Sequence, residues 1–498
     1  MTEPCDLPAV EARRLIGRKS LSPVELLESC LRRIEAVNPA VNAMTAMDIP
    51  AARGAARRAE AAMMRGEDLG PLHGLPLGVK DLDETAGLRT TYGSPIHRDF
   101  VPQADCGMVA RCRAAGAVIL GKTNTPEWGL GANTRNTVYG ATGNPFDNTR
   151  NAAGSSGGSA VALATGMVPI ATGSDTGGSL RNPAAHCGIV GYRPSPGLVT
   201  SEKRAHGWNN LSVLGPMGRT VADTCLLLSA MASDDAMDPL AYTLHDRAVR
   251  GKPGLFSPPR RIDLSTLRLA YSADLGGAPT EGLVREAFAK VVAACKPLFR
   301  DTADAHPDCT GADEAFEVLR ATGVLNSHLE KVRTRPQDCG PNVHANVEEG
   351  LRYSLADHAR AAALQTTIYR NFQRFFRDHD VLITPGITVS PRPWRELYPA
   401  QIDGKPTRTY FHWLALAYYV TLTGHPAVCL PVGLDGRGMP FGLQIVGPRG
   451  GDAFVLGVAA SLEEAFAADP SLRRPVPDLG RLREMGPILS QPHAMDWG

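Results

Sequence analysis

Residues 154–179 read GSSGGSAVALATGMVPIATGSDTGGS, and the fold depends on the two glycine-serine turns at its ends. Alone, GSSGGS (154–159) reads as a flexible tether. It is followed by AVALATG (160–166), which reads as a short Ala-rich helix stopped at Gly166, and then by MVPIATG (167–173), which reads as a strand. About ten helical residues climb ~15 Å, and six strand residues return ~20 Å. The second turn, SDTGGS (174–179), therefore arrives beside the first at one edge of a sheet. A tether would not be rebuilt so soon on the same plan.

That edge gathers Ser155, Ser156, Ser174, Thr176 and Ser179 with glycine N–H groups that no side chain covers. Such a nest of N–H groups stabilises an anion. A hydroxyl nucleophile beside it is the minimum kit for acyl transfer. Without a nucleophile, the same turns would make a non-catalytic anion-binding protein. GSSGG also satisfies G-x-S-x-G with Ser156 central, but that elbow needs a preceding strand, and NPFDNTRNAA (144–153) is polar and turn-rich. The DTG at Asp175 lacks the second carboxylate that aspartic-protease chemistry shares a proton with. No GxxxxGK[ST] phosphate loop occurs.

A serine nucleophile needs a base. Neither turn contains histidine, and His186 lies seven residues past Ser179 on a separate segment. Two lysines end apolar runs, Lys80 in LGVKD and Lys122 in ILGKTN. A lysine acts as a base near neutrality only if its pKa falls by roughly three units, about 4 kcal/mol. Burial among Leu75, Leu77 and Val79 supplies part of that for Lys80. Asp81 opposes it, although strand neighbours point to opposite faces. Local composition does not choose between the two lysines.

Outward from these turns, the 498 residues are 43% hydrophobic and 21% charged, the make-up of an ordinary globular chain. With 52 Lys+Arg against 51 Asp+Glu the net charge is +1, so no nucleic-acid or membrane partner is expected. Ten cysteines without CxxC and 13 histidines without HExxH predict no metal, no cofactor and a reducing, cytoplasmic setting. The start, MTEPCDLPAVEARRL, has no apolar signal core. The nearly uncharged run Phe411–Leu434 is long enough for a bilayer, but His412, Gly424, His425, Pro426 and Pro431 make it a buried helix turning into a core strand.

Strands alternate with helices along the chain. Ser22-Pro23 caps a helix carrying Leu26, Leu27, Leu31, Ile34 and Val37 at helical spacing, and Ala51–Met64 follows as a second. GLPLGVKD (74–81) and AVILGKTN (117–124) read as buried strands around a helix near Asp105–Ala115. DDAMDP, RGKPG and SPPRR make 232–263 a surface loop. LRLAYSA (267–273), DVLITP (380–385) and AVCLPVGL (427–434) read as strands, Thr280–Leu298 and Phe454–Phe466 as helices, and the tail after Pro470 as irregular. The pattern is α/β.

PLGVKD, KTNTPEW (122–128), GNPFDNTRNAAGSSGGSAVALATG, GSDTGGSLRNPA and CGIVGYRPSPG, in that order and spacing, resemble the amidase signature family. LGPMGRTVAD (214–223), DVLITP, GHPAVCLPVGL and GMPFGLQIVG extend the likeness over most of 20–470, weakest at about 230–375. The resemblance implies one large α/β domain, a central mixed β-sheet covered by helices on both faces. Its expected regions are an N-terminal helical part (1–65), a signature core (66–230), a variable, mostly helical substrate side (231–378), C-terminal core strands and helix (379–470) and a tail (471–498).

The same resemblance implies that Lys80 is the base, Ser155 the bridging serine before a cis peptide, and Ser179 the nucleophile. It puts the oxyanion hole at the N–H groups of Thr176, Gly177, Gly178 and Ser179. Asp175, Arg181 and Ser156 then brace the turns, and Lys122 becomes structural. Asn151-Ala152-Ala153 replaces the commoner Thr-Pro-Gly, and Asn182 and His186 stand where apolar or aromatic residues are common; none of the three reacting groups is lost. The implied activity is cleavage of a carboxamide C–N bond through a serine acyl-enzyme. The substrate is a small-molecule amide, with anilide, ester and carbamate as options. Trp128, Tyr139, His206 and Trp208, with residues from 300–375, are the expected pocket walls. A glutaminase component of a tRNA-dependent amidotransferase complex is the alternative, and a homodimer is compatible with the family.

Overall fold

The computed structural model describes residues 3–241 and 255–496. Of the expected 232–263 loop, the stretch RGKPG lies outside the described residues. Sequence signals for helix starts are realised by hydrogen bonds. Ser22 and Glu25 form a reciprocal capping box at Pro23–Val41, whose Leu26, Leu27, Ile34 and Val37 are buried. The helix expected near Asp105–Ala115 is Gly107–Ala114, and the Ala-rich one is Gly157–Ala164, starting inside the first glycine turn.

The strands are β1 (Met44–Met47), β2 (Pro76–Lys80), β3 (Val118–Thr123), β4 (Ile170–Asp175), β5 (Val190–Arg193), β6 (Val213–Gly218), β7 (Arg268–Tyr271), β8 (Asp301–Asp304) and β9 (Val381–Pro385). A separate two-stranded ribbon pairs β10 (Gln401–Ile402) with β11 (Lys405–Pro406), and β12 (Ala427–Leu434) and β13 (Pro440–Val446) complete the set. Eleven of them form one sheet in the order β1-β3-β2-β4-β6-β5-β12-β13-β9-β7-β8. The sheet is mixed: β3-β2-β4 and β9-β7-β8 run parallel within themselves, and the joins between and beside them are antiparallel. β2 and β3 are buried along their whole length, which is why they read as apolar runs rather than alternating ones.

Helices cover both faces, so the chain forms one large α/β domain. Gly157–Ala164 packs with Arg181–Cys187, and Val221–Met231 packs with Asp452–Phe466, each against the central strands. The helix expected over Thr280–Leu298 is Gly282–Cys295 with a one-turn extension to Leu298. The run after Phe411 becomes helix Ala415–Thr423 and then β12, as its glycine and prolines require. The tail after Pro470 is more regular than expected: Asp478 caps a helix over Leu479–Glu484. Among the described residues no helix is long and apolar enough to cross a membrane.

Three parallel strands set the site. Lys80 is the last residue of β2, and the turn 174–179 leaves the neighbouring β4 in the same direction. The carboxyl ends of adjacent parallel strands are where α/β sheets open a crevice.

Candidate active site

Lys80 is fully buried, and its Nζ donates to three hydroxyls: Ser155 Oγ at 2.7 Å, Ser156 Oγ at 2.9 Å and Ser174 Oγ at 2.9 Å. Its backbone N–H donates to Thr172 Oγ1, which in turn donates to the Asp83 carboxylate. Burial pushes the ammonium down to about 7, against the opposing pull of Asp83 and Asp175. Lys122 is equally buried, but its Nζ donates to the Asp83 carbonyl and Thr85 Oγ1, tying down the loop after β2. The two lysines that look alike locally thus have different partners: one holds serines, the other holds backbone.

The two glycine turns meet as their spacing predicts. Ser156 N–H donates to the Ser179 carbonyl at 3.3 Å. Ser155 is buried beneath Gly129, where an added Cβ would stand 3.2 Å from Ser155 Oγ. The cis peptide is Gly154–Ser155, so Ser155 follows that bond rather than preceding it, a correction of one residue. The glycines of the first turn also give clearance to neighbouring segments. A Cβ on Gly158 would lie 2.2 Å from the Asn124 nitrogen and 2.9 Å from the Ala43 carbonyl oxygen, not against the second turn.

Asp175 organises the second turn from inside. Its carboxylate takes a bidentate pair from Arg181 at 2.8 and 3.0 Å, a contact from Arg193 at 3.1 Å, and the N–H groups of Gly178 and Leu180. Burial alone would raise this carboxyl, but Arg181 and Arg193 outweigh it and hold it well below the usual range. Arg181 also donates to Ala417 O, Gln444 Oε1 and Thr421 Oγ1, anchoring the turn to the C-terminal part of the sheet. Because Gly178 N–H is committed to Asp175, it is withdrawn from the four expected oxyanion donors. The N–H groups of Gly177 and Ser179 have no hydrogen-bonded partner among the described residues. The Ser179 hydroxyl has none either. His186 is a packed residue: burial lowers it to about 4, and its ring bonds Asn151 Oδ1 and the Val389 carbonyl.

Ser179, Gly177 and Thr176 open onto a cavity of about 250 Å³. Of the expected walls, Trp128 and His206 line it, whereas Tyr139 and Trp208 do not. Trp208 is 77% exposed on its turn, and Tyr139 lies off the cavity under the Arg89 guanidinium, so both are corrections. The contribution expected from 300–375 comes from Phe316, Arg320, Val324 and His328, on one face of helix Ala312–Thr334, and Phe411 and Leu414, outside that stretch, stand opposite. Their spacing of about four residues is a helix-face signal available in the sequence. Among the described residues, no cluster of His, Cys, Asp or Glu is arranged to hold a metal.

A family model described as Amidase matches residues 25–456. An acylamidase from Rhodococcus erythropolis is 34% identical over 467 residues, covering 92% of this chain and 95% of that protein. A glutamyl-tRNA(Gln) amidotransferase component from Acidothermus cellulolyticus is also 34% identical, covering 92% of this chain and 94% of its own length. Among solved structures, a bacterial aryl acylamidase of the amidase signature family superposes with a TM-score of 0.84 at 25% identity, covering 98% of this chain and 99% of that one.

Proposed function

The chain belongs to the amidase signature family and is a hydrolase of amide C–N bonds, and on that premise we propose that Ser179 is its nucleophile, Ser155 its proton relay and Lys80 its base. The observation that carries this reading is Lys80 Nζ, buried, lowered to about 7 and 2.7 Å from Ser155 Oγ. Near neutrality about half of such lysines are neutral amines with a lone pair to offer.

Neutral Lys80 accepts the Ser155 proton while Ser155 accepts that of Ser179. Ser179 Oγ bonds to the substrate carbonyl carbon, and the carbonyl oxygen becomes an oxyanion facing the N–H groups of Thr176, Gly177 and Ser179. The relay then runs backwards. Ser155 delivers a proton to the leaving nitrogen, the C–N bond breaks, and an acyl-enzyme remains. Water repeats the cycle, giving its proton to the relay and releasing the acid and Ser179. Ser156 and Ser174 hold the amine in place, and Asp175 with Arg181 keeps the donor turn rigid.

Trp128, Phe316, Val324, Phe411 and Leu414 favour a substrate with an apolar or aromatic portion, such as an anilide, and leave esters and carbamates as further substrates. The test is a fluorophosphonate probe and an amide, anilide, ester and carbamate panel. Labelling and turnover are expected in wild type and lost in Ser179→Ala and Lys80→Ala; turnover surviving Ser179→Ala overturns the assignment. The likeness to the amidotransferase component supports a second reading, a glutaminase within a complex. Turnover of glutamine that rises only with a co-purifying partner chain would favour it.

A further inference from the structure

Arg320 sits in the cavity wall and is only 9% exposed, yet among the described residues it makes no salt bridge. Buried guanidinium groups are ordinarily paired, because removing a charge from water without a counter-charge costs several kcal/mol. Its Nη2 donates to neutral acceptors, Asn346 Oδ1 and the Tyr410 hydroxyl. Its Cζ lies over the Phe411 ring, 4.4 Å from the centroid. Nη1 is buried and has no hydrogen-bond acceptor.

The acids on the same helix are already engaged. Glu317 takes Arg408 at 2.7 Å, and Asp313 takes Arg408 at 3.1 Å and the Tyr418 hydroxyl at 2.6 Å. Glu349 accepts the Tyr353 hydroxyl. The second arginine of the wall, Arg204, differs from Arg320 because it pairs with Asp238 at 3.5 Å. No Asp or Glu lines the cavity among the described residues. Glu317 shares the field of Arg320 without contacting it, so the cavity that holds Ser179 also holds a cation with no contact ion pair among the described residues, kept in place by aromatic, hydroxyl and amide groups.

We propose that Arg320 receives a carboxylate carried by the substrate, so that the enzyme prefers amides combining an apolar or aromatic body with an acidic group. This rests on the amidase reading above and names the substrate class for it. With Nη2 committed to Asn346 and Tyr410, the carboxylate would take the N–H donors of Nη1, a charge-assisted contact that the apolar walls strengthen by desolvation. A free α-ammonium finds no carboxylate in this wall, so a zwitterionic amino-acid amide is a poor fit.

The test uses two matched pairs, one for each side of the scissile bond. Glutaryl 4-nitroanilide is compared with valeryl 4-nitroanilide, and 4-acetamidobenzoate with 4-methylacetanilide. In wild type at least one pair should favour its carboxylate member by about ten- to a hundred-fold in kcat/KM, the range of a charge-assisted contact. In Arg320→Met that ratio should collapse toward one, and Arg320→Lys should retain part of it. Calorimetric binding of the same four compounds to Ser179→Ala reads the anion site without turnover. A wild-type ratio near one in both pairs, or a ratio untouched by Arg320→Met, overturns the proposal while leaving the amidase reading intact. A binding preference that depends on Arg320, without turnover of any amide, supports the anion site and counts against the nucleophile assignment instead.

Discussion

Lys80 links one side chain's environment to a pH profile. Its value of about 7 places the loss of the proton within the assay range. With neutral Lys80 as the base, kcat/KM should rise about ten-fold per pH unit below that value and level above it. A flat profile between pH 5 and 8 on a substrate without ionisable groups contradicts the role. The stability sign runs the other way from a typical salt-bridged lysine. The folded value lies below the unfolded 10.5, so the unfolded chain binds the extra proton between about 7 and 10.5. Stability from this group therefore increases through that window, and the burial penalty is fully present below about 7. Urea unfolding of wild type against Lys80→Met at pH 7 and pH 9 reads it: the gap between the two proteins should shift in favour of wild type at the higher pH. Residue patterns alone left Lys80 and Lys122 equivalent, since each ends an apolar strand. What separates them is tertiary, three serine hydroxyls around one and a carbonyl with Thr85 around the other. Aromatic identity was likewise a poor guide to the cavity, because Tyr139 and Trp208 carry nothing in their own sequence to say which way they face.

At the scale of elements, the helix-strand unit between the glycine turns was legible because its lengths forced both ends to one sheet edge. β6 was not. Pro216 and two glycines break its pattern, and proline in a central strand argues against a strand at all. Here it sits opposite Thr172 of β4 within a continuous antiparallel register. The first turn makes a sharp prediction. Gly158→Ala puts a carbon 2.2 Å from backbone nitrogen and 2.6 Å from the carbonyl oxygen of Asn124, with only main chain to give way. A loss of about 3 kcal/mol, read as a fall in Tm, is expected from such overpacking. A Tm equal to wild type would mean that the segment at Asn124 yields freely. The Asp175–Arg181 pair sets a second expectation. Both side chains are fully buried, so Arg181→Leu strips the bidentate partner from a carboxylate that then keeps Arg193 alone and should cost about 3 kcal/mol, whereas Asn substitutions on the exposed Arg261–Glu464 pair should cost little.

Across the whole molecule, ten cysteines are free and buried, and burial raises the thiols of those such as Cys30 and Cys429. Native protein should give almost no fast reaction with a thiol reagent, full reaction should need denaturant, and reductant should leave Tm unchanged. Rapid titration of several thiols would contradict the packing. The reach of the sequence also shows at this scale. The α/β class and the mixed sheet followed from the strand-helix alternation and the family motifs. The strand order did not, because β12 pairs with β5 across more than two hundred intervening residues, with β13 beyond it.

That strand order has a consequence for how the enzyme comes into being. The turn carrying Ser179 is grasped through Arg181 by Ala417, Thr421 and Gln444. During synthesis the ribosome therefore delivers Lys80, Ser155 and Ser179, the groups proposed to react, long before the residues that anchor Arg181. A chain ended before Ala417 would keep the contacts of Lys80 with Ser155 and Ser156 and of Arg181 with Asp175, but lack the carbonyl, hydroxyl and amide that anchor Arg181, and it should hydrolyse amides poorly.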